Sequence, residues 1–185
     1  MHFAKLLPVA ALGVLLIASK AEGQDLGAQK KATAQRGPWL EMQVGPMFQH
    51  EGGRAGLGTG PLVRMNLGME LGTRLVAELW AEGNIISSAP LASPQDRTQL
   101  GGGAGGRLLL YRFGAEGKLA LWAHGGVGWA AAAPASGPHG PLGFAGPSLL
   151  FQPLLRRFAL GVEVDAVVMR DAVGFALLPS LRCAL

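Results

Sequence analysis

The chain has 185 residues, of which 49% are hydrophobic and only 15% charged, with 29 glycines, one cysteine and a net charge of +4. A soluble domain carries about 25% charged residues, so water covers only part of this surface, and one cysteine excludes an internal disulfide framework. Of the sixteen bases, Lys5 and Lys20 lie in an export segment; removing them leaves fourteen against twelve acids, a net +2 that argues for no nucleic-acid partner.

That export segment occupies residues 1–21. Lys5 supplies the positive end, "LLPVAALGVLLIA" from Leu6 to Ala18 the apolar run, and "SKA" at Ser19–Ala21 the cleavage site. Its apolar run is too short to span a bilayer as a helix, and no later run approaches the ~18 residues that a spanning helix needs. Residues 22–37 form a short linker. A closed barrel is the other structure that crosses a membrane with its backbone satisfied.

The rest of the chain reads as eight strands. Residues 38–49 are the first. The second, "LVRMNLGMEL" from Leu62 to Leu71, alternates cleanly: Val63, Met65, Leu67, Met69 and Leu71 share one face, with Arg64, Asn66, Gly68 and Glu70 on the other. Strands at 73–84 and 99–112 follow. At 118–131, Leu119, Leu121, Ala123, Val127 and Trp129 lie opposite Lys118, Trp122, His124 and Gly128. Residues 142–155 make the poorest strand, because Pro147 and Pro153 each remove a ladder donor. "RFALGVEVDAVV" from Arg157 to Val168 restores the alternation, with Glu163 and Asp165 opposite Val162 and Val164. In the last strand Val173, Phe175, Leu177, Leu181, Cys183 and Leu185 oppose Gly174, Ala176, Ser180 and Arg182.

Connections near Gly72, at Gly114–Gly117 and at Arg156–Arg157 are short, whereas those at 50–61, 85–98 and 132–141 are longer and rich in Gly, Pro, Ala and Ser. This rhythm fits an up-and-down barrel with short turns on the periplasmic side and long loops outside. The link at Arg170–Ala172 is short where the rhythm calls for a long one.

The stretch "LGGGAGGRLLLYRF" from Leu100 to Phe113 contains the spacing G-x-G-x-x-G at Gly101, Gly103 and Gly106. A dinucleotide site needs a helix directly after those glycines; Arg107–Arg112 followed by Gly114 and Gly117 leaves no room for one. The expected reading is a curved barrel strand whose glycines make space for bulky inward neighbours. A disordered glycine-rich loop is the competing one.

On the inward face lie six acids, Glu41, Glu70, Glu78, Glu82, Glu163 and Asp165, and five bases, Arg64, Arg74, Arg107, Lys118 and Arg182. Eight strands leave an interior just wide enough for side chains, so these charges are expected to form a paired plug, since an unpaired buried charge is costly. Arg64, Arg107 and Arg182 against Glu78, Glu163 and Asp165 are the expected centre of that network, in a structural role and with the pairing left open.

In these respects the chain resembles the small eight-stranded outer-membrane β-barrels of double-membraned bacteria, the class that includes the membrane domain of outer-membrane protein A. The resemblance covers residues 38–185 and rests on pattern, with no specific motif. It implies an all-β, up-and-down antiparallel transmembrane barrel, residence in outer-membrane lipid after export, and insertion by the barrel-assembly machinery. Members usually end in an aromatic residue; this chain ends in Leu185. Aromatic residues are 6% of the chain, and Trp39, Tyr111 and Phe158 are expected to mark one rim and Phe48, Trp129 and Phe144 the other.

No catalytic set, cofactor site or metal site is expected. His50, His124 and His139 lack a ligand spacing, and Ser148 and Ser180 have no histidine partner that the strand order supplies. A soluble lipid carrier shows the same alternation turned inside out. The low charge, the near balance of the charged face and the lack of a terminal helix favour the membrane. A structural or surface-interaction role is the expected function, with a small pore and the lipid carrier as alternatives; no specific ligand or partner is written in the sequence.

Overall fold

The computed structural model describes residues 37–52, 57–88, 95–114, 117–133, 139–153 and 157–185. The export segment and nearly all of the linker lie outside the described residues. Eight strands run in chain order: β1 (Pro38–Glu51), β2 (Gly58–Glu70), β3 (Leu75–Ser88), β4 (Gln95–Phe113), β5 (Leu119–Ala133), β6 (Gly140–Phe151), β7 (Phe158–Met169) and β8 (Ala172–Ala184). Each pairs antiparallel with its chain neighbours, and β8 pairs with β1, which closes the barrel and leaves no edge. Among the described residues no helix is long and apolar enough to cross a membrane.

Alternation places the side chains as the sequence predicts. Along β2, Val63, Met65, Leu67 and Met69 are exposed on the outer wall, while Leu62, Arg64 and Asn66 are buried inside. Along β7, Leu160, Val162, Val164 and Val168 face out, and Glu163 and Asp165 are fully buried. The wall is apolar and the lumen polar, the reverse of a soluble barrel with an apolar ligand cavity.

Prolines sit on the outer wall. Pro46, Pro61, Pro141, Pro147 and Pro179 are all exposed strand residues. At Pro147 the β6–β7 ladder skips from Ala145↔Ala166 to Ser148↔Glu163, and near Pro46 and Pro179 the β1–β8 ladder skips from Gln43↔Ser180 to Met47↔Ala176. A residue without an N–H breaks the ladder locally while the flanking pairs hold register. The segment at 142–155 is therefore a full strand over Gly140–Phe151, with Pro153 beyond its end.

The rhythm of connections is weaker than expected. Strands β3 and β4 run on to Ser88 and from Gln95, so the expected loop at 85–98 shrinks to residues 89–94, and those at 50–61 and 132–141 shrink likewise to 52–57 and 134–139. Backbone pairing continues past the apolar belt: Ser87 and Asp96, exposed at the end of the β3–β4 ladder, share a 2.6 Å hydrogen bond. At the other end the β4–β5 turn uses Gly114 at φ 76° and Gly117 at φ 59°, a left-handed backbone that glycine adopts without strain.

The glycine-rich stretch is the interior of β4. Inward glycines of β4 and of its neighbour β5 form a floor for Trp80 of β3. A methyl group on Gly103 or Gly128 would come within 2.8 Å of the Trp80 ring, and one on Gly126 within 2.7 Å of both Trp80 and Phe144. Between Leu109 and Tyr111 a β-bulge shifts the β4–β5 register. Arg107 points inward and the bulge reverses the parity after it, so Tyr111 and Phe113 point outward.

Candidate functional site: the charged lumen

Along β1, β5 and β7 the inward residues run in the same order from the turn end to the loop end. First comes an apolar layer of Trp39, Val76, Ala120, Trp122, Leu150 and Ala159. Next come the buried ionisable groups. Beyond them lies a larger apolar layer that includes Met47, Leu62, Phe144, Val167, Met169 and Leu178. The charges are thus sandwiched between two apolar layers of side chains.

Arg107 is the hub. Its guanidinium donates to Glu78 Oε2 at 3.0 Å and to Glu41 Oε1 at 3.2 Å, and it pairs with Glu163 Oε1. These three carboxylates come from β3, β1 and β7, so one side chain ties four strands together. Arg64 donates to Glu82 at 2.9 Å and to Asp165 Oδ2 at 2.5 Å. Arg182 donates to Glu41 Oε2 at 2.7 Å. Gln43 bridges Glu41 at 2.9 Å and Glu163 at 2.7 Å, and Ser148 donates to Glu163 Oε1 at 2.9 Å. All six residues singled out from the sequence, Arg64, Glu78, Arg107, Glu163, Asp165 and Arg182, stand in this one network together with Glu41 and Glu82. Glu70, Arg74 and Lys118, also expected inside, do not: they are only partly buried, and Arg74 and Lys118 lie just outside the strands.

His124 holds the centre. Its Nε2 is 2.5 Å from Glu78 Oε1, and its Nδ1 is 2.9 Å from Glu163 Oε2 and 3.6 Å from Asp165 Oδ1. Each of these carboxylates gives one oxygen to an arginine and turns the other toward the imidazole. Read from the sequence as lumen filler, His124 is the residue the pattern undervalued. Its signal was its inward parity, shared with Trp122 and set midway along a strand. His124, Glu163 and Asp165 also offer donor atoms within 4.8 Å of one another, the spacing of a metal cluster, but arginines already hold Glu163 and Asp165 from the other side.

Aromatic rings seal the charged layer on both sides. The Arg64 guanidinium lies 3.8 Å above the Phe144 ring, and that of Arg182 lies 3.9 Å above Trp39. This corrects the expected girdles. Trp39 has the inward parity of Glu41 and is buried, resting on Gly68, and Phe144 is buried in the larger apolar layer, so neither marks a rim. Tyr111, Phe158 and Trp129 are exposed on the wall, and Phe48 stacks on Phe175 at 4.7 Å.

A second ion pair sits at the loop-end mouth. Arg97 of β4 donates through Nη1 to both carboxylate oxygens of Glu51, at 2.9 and 2.7 Å. Both residues read as loop charges in the sequence, and they face the mouth because their strands extend farther than the alternation alone indicated. Ser148 donates to a carboxylate rather than to a histidine nitrogen, so the contact is not that of an activated nucleophile.

No protein-family model and no curated protein sequence matches the chain. Solved structures do. The Neisserial surface protein A aligns with a TM-score of 0.63 at 10% identity, over 80% of this chain and 97% of that one. The attachment invasion locus protein Ail of Yersinia pestis aligns at 0.50 with 15% identity, over 80% and 99%. OprG, an outer-membrane protein of Pseudomonas aeruginosa, aligns at 0.51 with 8% identity, over 81% and 98%. At these identities the likeness is one of fold.

Proposed function

We propose that this chain, which has the fold of the small eight-stranded outer-membrane β-barrels, is an outer-membrane protein with a structural or surface-interaction role, a closed lumen and no catalytic activity. One observation carries the reading: large apolar side chains such as Leu67, Leu79, Leu100, Val127 and Leu160 are exposed on the wall, while Arg64, Arg107, Glu41, Glu163 and Asp165 are fully buried inside. Only a lipid solvent makes that wall favourable, and only pairing makes that interior tolerable.

The lumen argues against the soluble lipid carrier, whose ligand needs an apolar cavity where this barrel has a charged core. It argues against a standing pore as well, because the ion-pair network is capped by apolar layers at both ends. Export by the N-terminal signal and insertion by the barrel-assembly machinery belong to this proposal, as does an orientation with the chain ends and the short turns in the periplasm.

The test is folding into lipid. The mature chain, diluted from denaturant into phospholipid vesicles, is expected to float with them after a high-salt wash and to migrate faster on a dodecyl sulfate gel unheated than boiled. Recovery in the soluble fraction with no heat-dependent shift overturns the reading.

A further inference from the structure

We propose that the centre of the lumen holds one divalent first-row transition-metal ion, bound by His124 Nδ1, Glu163 Oε2 and Asp165 Oδ1. These three atoms lie within 4.8 Å of one another, and all three side chains are buried. His124 stands on β5 and both acids on β7, with β6 between them. Gly146 of β6 is level with His124 and brings no side chain, so the imidazole meets the acids across that strand.

The charges of the lumen do not balance without an ion. Five carboxylates, Glu41, Glu78, Glu82, Glu163 and Asp165, face three guanidiniums, Arg64, Arg107 and Arg182. Two negative charges are left over, and burial makes an uncompensated charge costly. One divalent cation cancels both.

The atoms it needs are also the ones the network leaves over. Arg107 holds Glu163 through Oε1 and Arg64 holds Asp165 through Oδ2, so Oε2 and Oδ1 stay available. Among the described residues Asp165 Oδ1 has no hydrogen-bond partner, and neither has either imidazole nitrogen, although carboxylate oxygens lie 2.5, 2.9 and 3.6 Å from those nitrogens. Glu163 Oε2 accepts from Gln43 at 2.7 Å, and such a hydrogen bond commonly orients a ligating carboxylate.

The spacing fits a small ion. Zinc binds imidazole nitrogen and carboxylate oxygen at about 2.0–2.2 Å with tetrahedral angles, which sets neighbouring ligand atoms about 3.3 Å apart. Nδ1 is 2.9 Å from Glu163 Oε2 and 3.6 Å from Asp165 Oδ1, on either side of that separation. Glu78 Oε1 stands at the other ring nitrogen, where metal-bound imidazoles usually meet a carboxylate or carbonyl. An imidazole among the ligands favours a zinc-like ion over calcium or magnesium. Apolar layers seal this centre on both sides, so, on the closed-lumen reading above, the ion enters while the strands are closing and is then trapped.

The experiment folds the full mature chain, untagged, into phospholipid vesicles with micromolar zinc sulfate. The barrel is extracted in mild detergent, treated with EDTA, gel-filtered and its zinc counted by elemental mass spectrometry. Wild type is expected to retain about one zinc per chain, and H124Q and D165N less than about a tenth of that. H50Q, at an exposed loop-end histidine, is expected to match wild type. X-ray absorption at the zinc edge is expected to show nitrogen and oxygen ligands without sulfur.

Folded wild type without zinc overturns the proposal, and assigns the charge balance to protons on His124 and a carboxylate. Equal zinc in wild type and H124Q, or a sulfur ligand from Cys183, overturns it as an adventitious ion only. The unheated gel shift is read on every sample: its absence in wild type marks failure of the barrel reading itself. Should neither variant fold, wild type folded with zinc is expected to unfold at a higher guanidinium concentration than wild type folded with EDTA, and equal midpoints reject the proposal.

Discussion

Arg107 of β4 and Glu163 of β7 pair across the lumen although 56 residues separate them and their strands share no backbone ladder. Closure of the sheet is what brings them together. The same guanidinium holds Glu41 and Glu78, so its removal leaves three buried carboxylates short of a partner.

Arg107→Gln is therefore expected to destabilise the folded barrel by about 3–5 kcal/mol, the cost of breaking a buried ion pair from one side. Arg107→Lys keeps the charge but not the planar fork that reaches several carboxylates, and it should recover only part of the loss. Guanidinium unfolding of the barrel in detergent micelles measures both. Equal stability for wild type and Arg107→Gln excludes a structural role for the hub.

Neighbouring residues on β7 test which face meets lipid. Val164 is exposed on the wall and Asp165 is fully buried in the lumen. Lysine at position 164 is expected to cost about 2–4 kcal/mol near mid-membrane. Asp165→Asn should cost less, because Arg64 retains Glu82 at 2.9 Å. Folding yields into vesicles give the comparison, and a larger loss from Asp165→Asn would reverse the assignment of the faces.

Trp80 and its glycine floor should behave as one unit. Gly126→Leu forces a side chain against the Trp80 and Phe144 rings, which lie 2.7 Å from where its Cβ would sit, and is expected to cost about 1–3 kcal/mol through overpacking. Trp80→Ala opens a cavity at about 3–5 kcal/mol. The double variant should cost clearly less than the two single losses added, because the leucine then fills the space the indole vacates. Strict additivity in the same unfolding assay would show that the glycines serve something other than room for Trp80.

In a planar bilayer the purified protein is expected to show no steady conductance. An ion entering the lumen would have to pass apolar side chains at both ends and displace arginines that already hold the carboxylates between them. Brief, low-conductance openings fit the small side chains of β4 and β5. A stable ion-selective current abolished by Arg107→Gln or Glu163→Gln would make the small pore the function.

The strand number and most of the parity are legible in the chain because period-two alternation is a local property: Arg64 and Glu70, or Glu163 and Asp165, declare their face through neighbours two residues away. Parity fails where a local irregularity intervenes. Nothing in "LLLYRF" announces that the ladder slips at Leu110, yet that slip carries Tyr111 to the wall. Trp39 and Phe144 went astray for another reason. An aromatic on a short strand reads as a rim residue by composition, while its parity with Glu41 or with Ser148 already placed it inside, as a surface on which an arginine stacks.

What the sequence determined by itself is the inventory: eight amphipathic strands, a wall of Leu, Val and Met, and inward arginines, carboxylates and glycines, because solvent preference is written residue by residue. What only the tertiary structure decided is the pairing. Arg107 meets Glu41, Glu78 and Glu163, Arg182 meets Glu41, and His124 stands among three carboxylates, because partners across a closed barrel depend on strand tilt, the Leu110 bulge and the proline gaps near Pro46 and Pro147. Each of these shifts who faces whom without changing which residues face in. Inward charge is a one-dimensional signal, whereas the choice of partner is set by the geometry of closure.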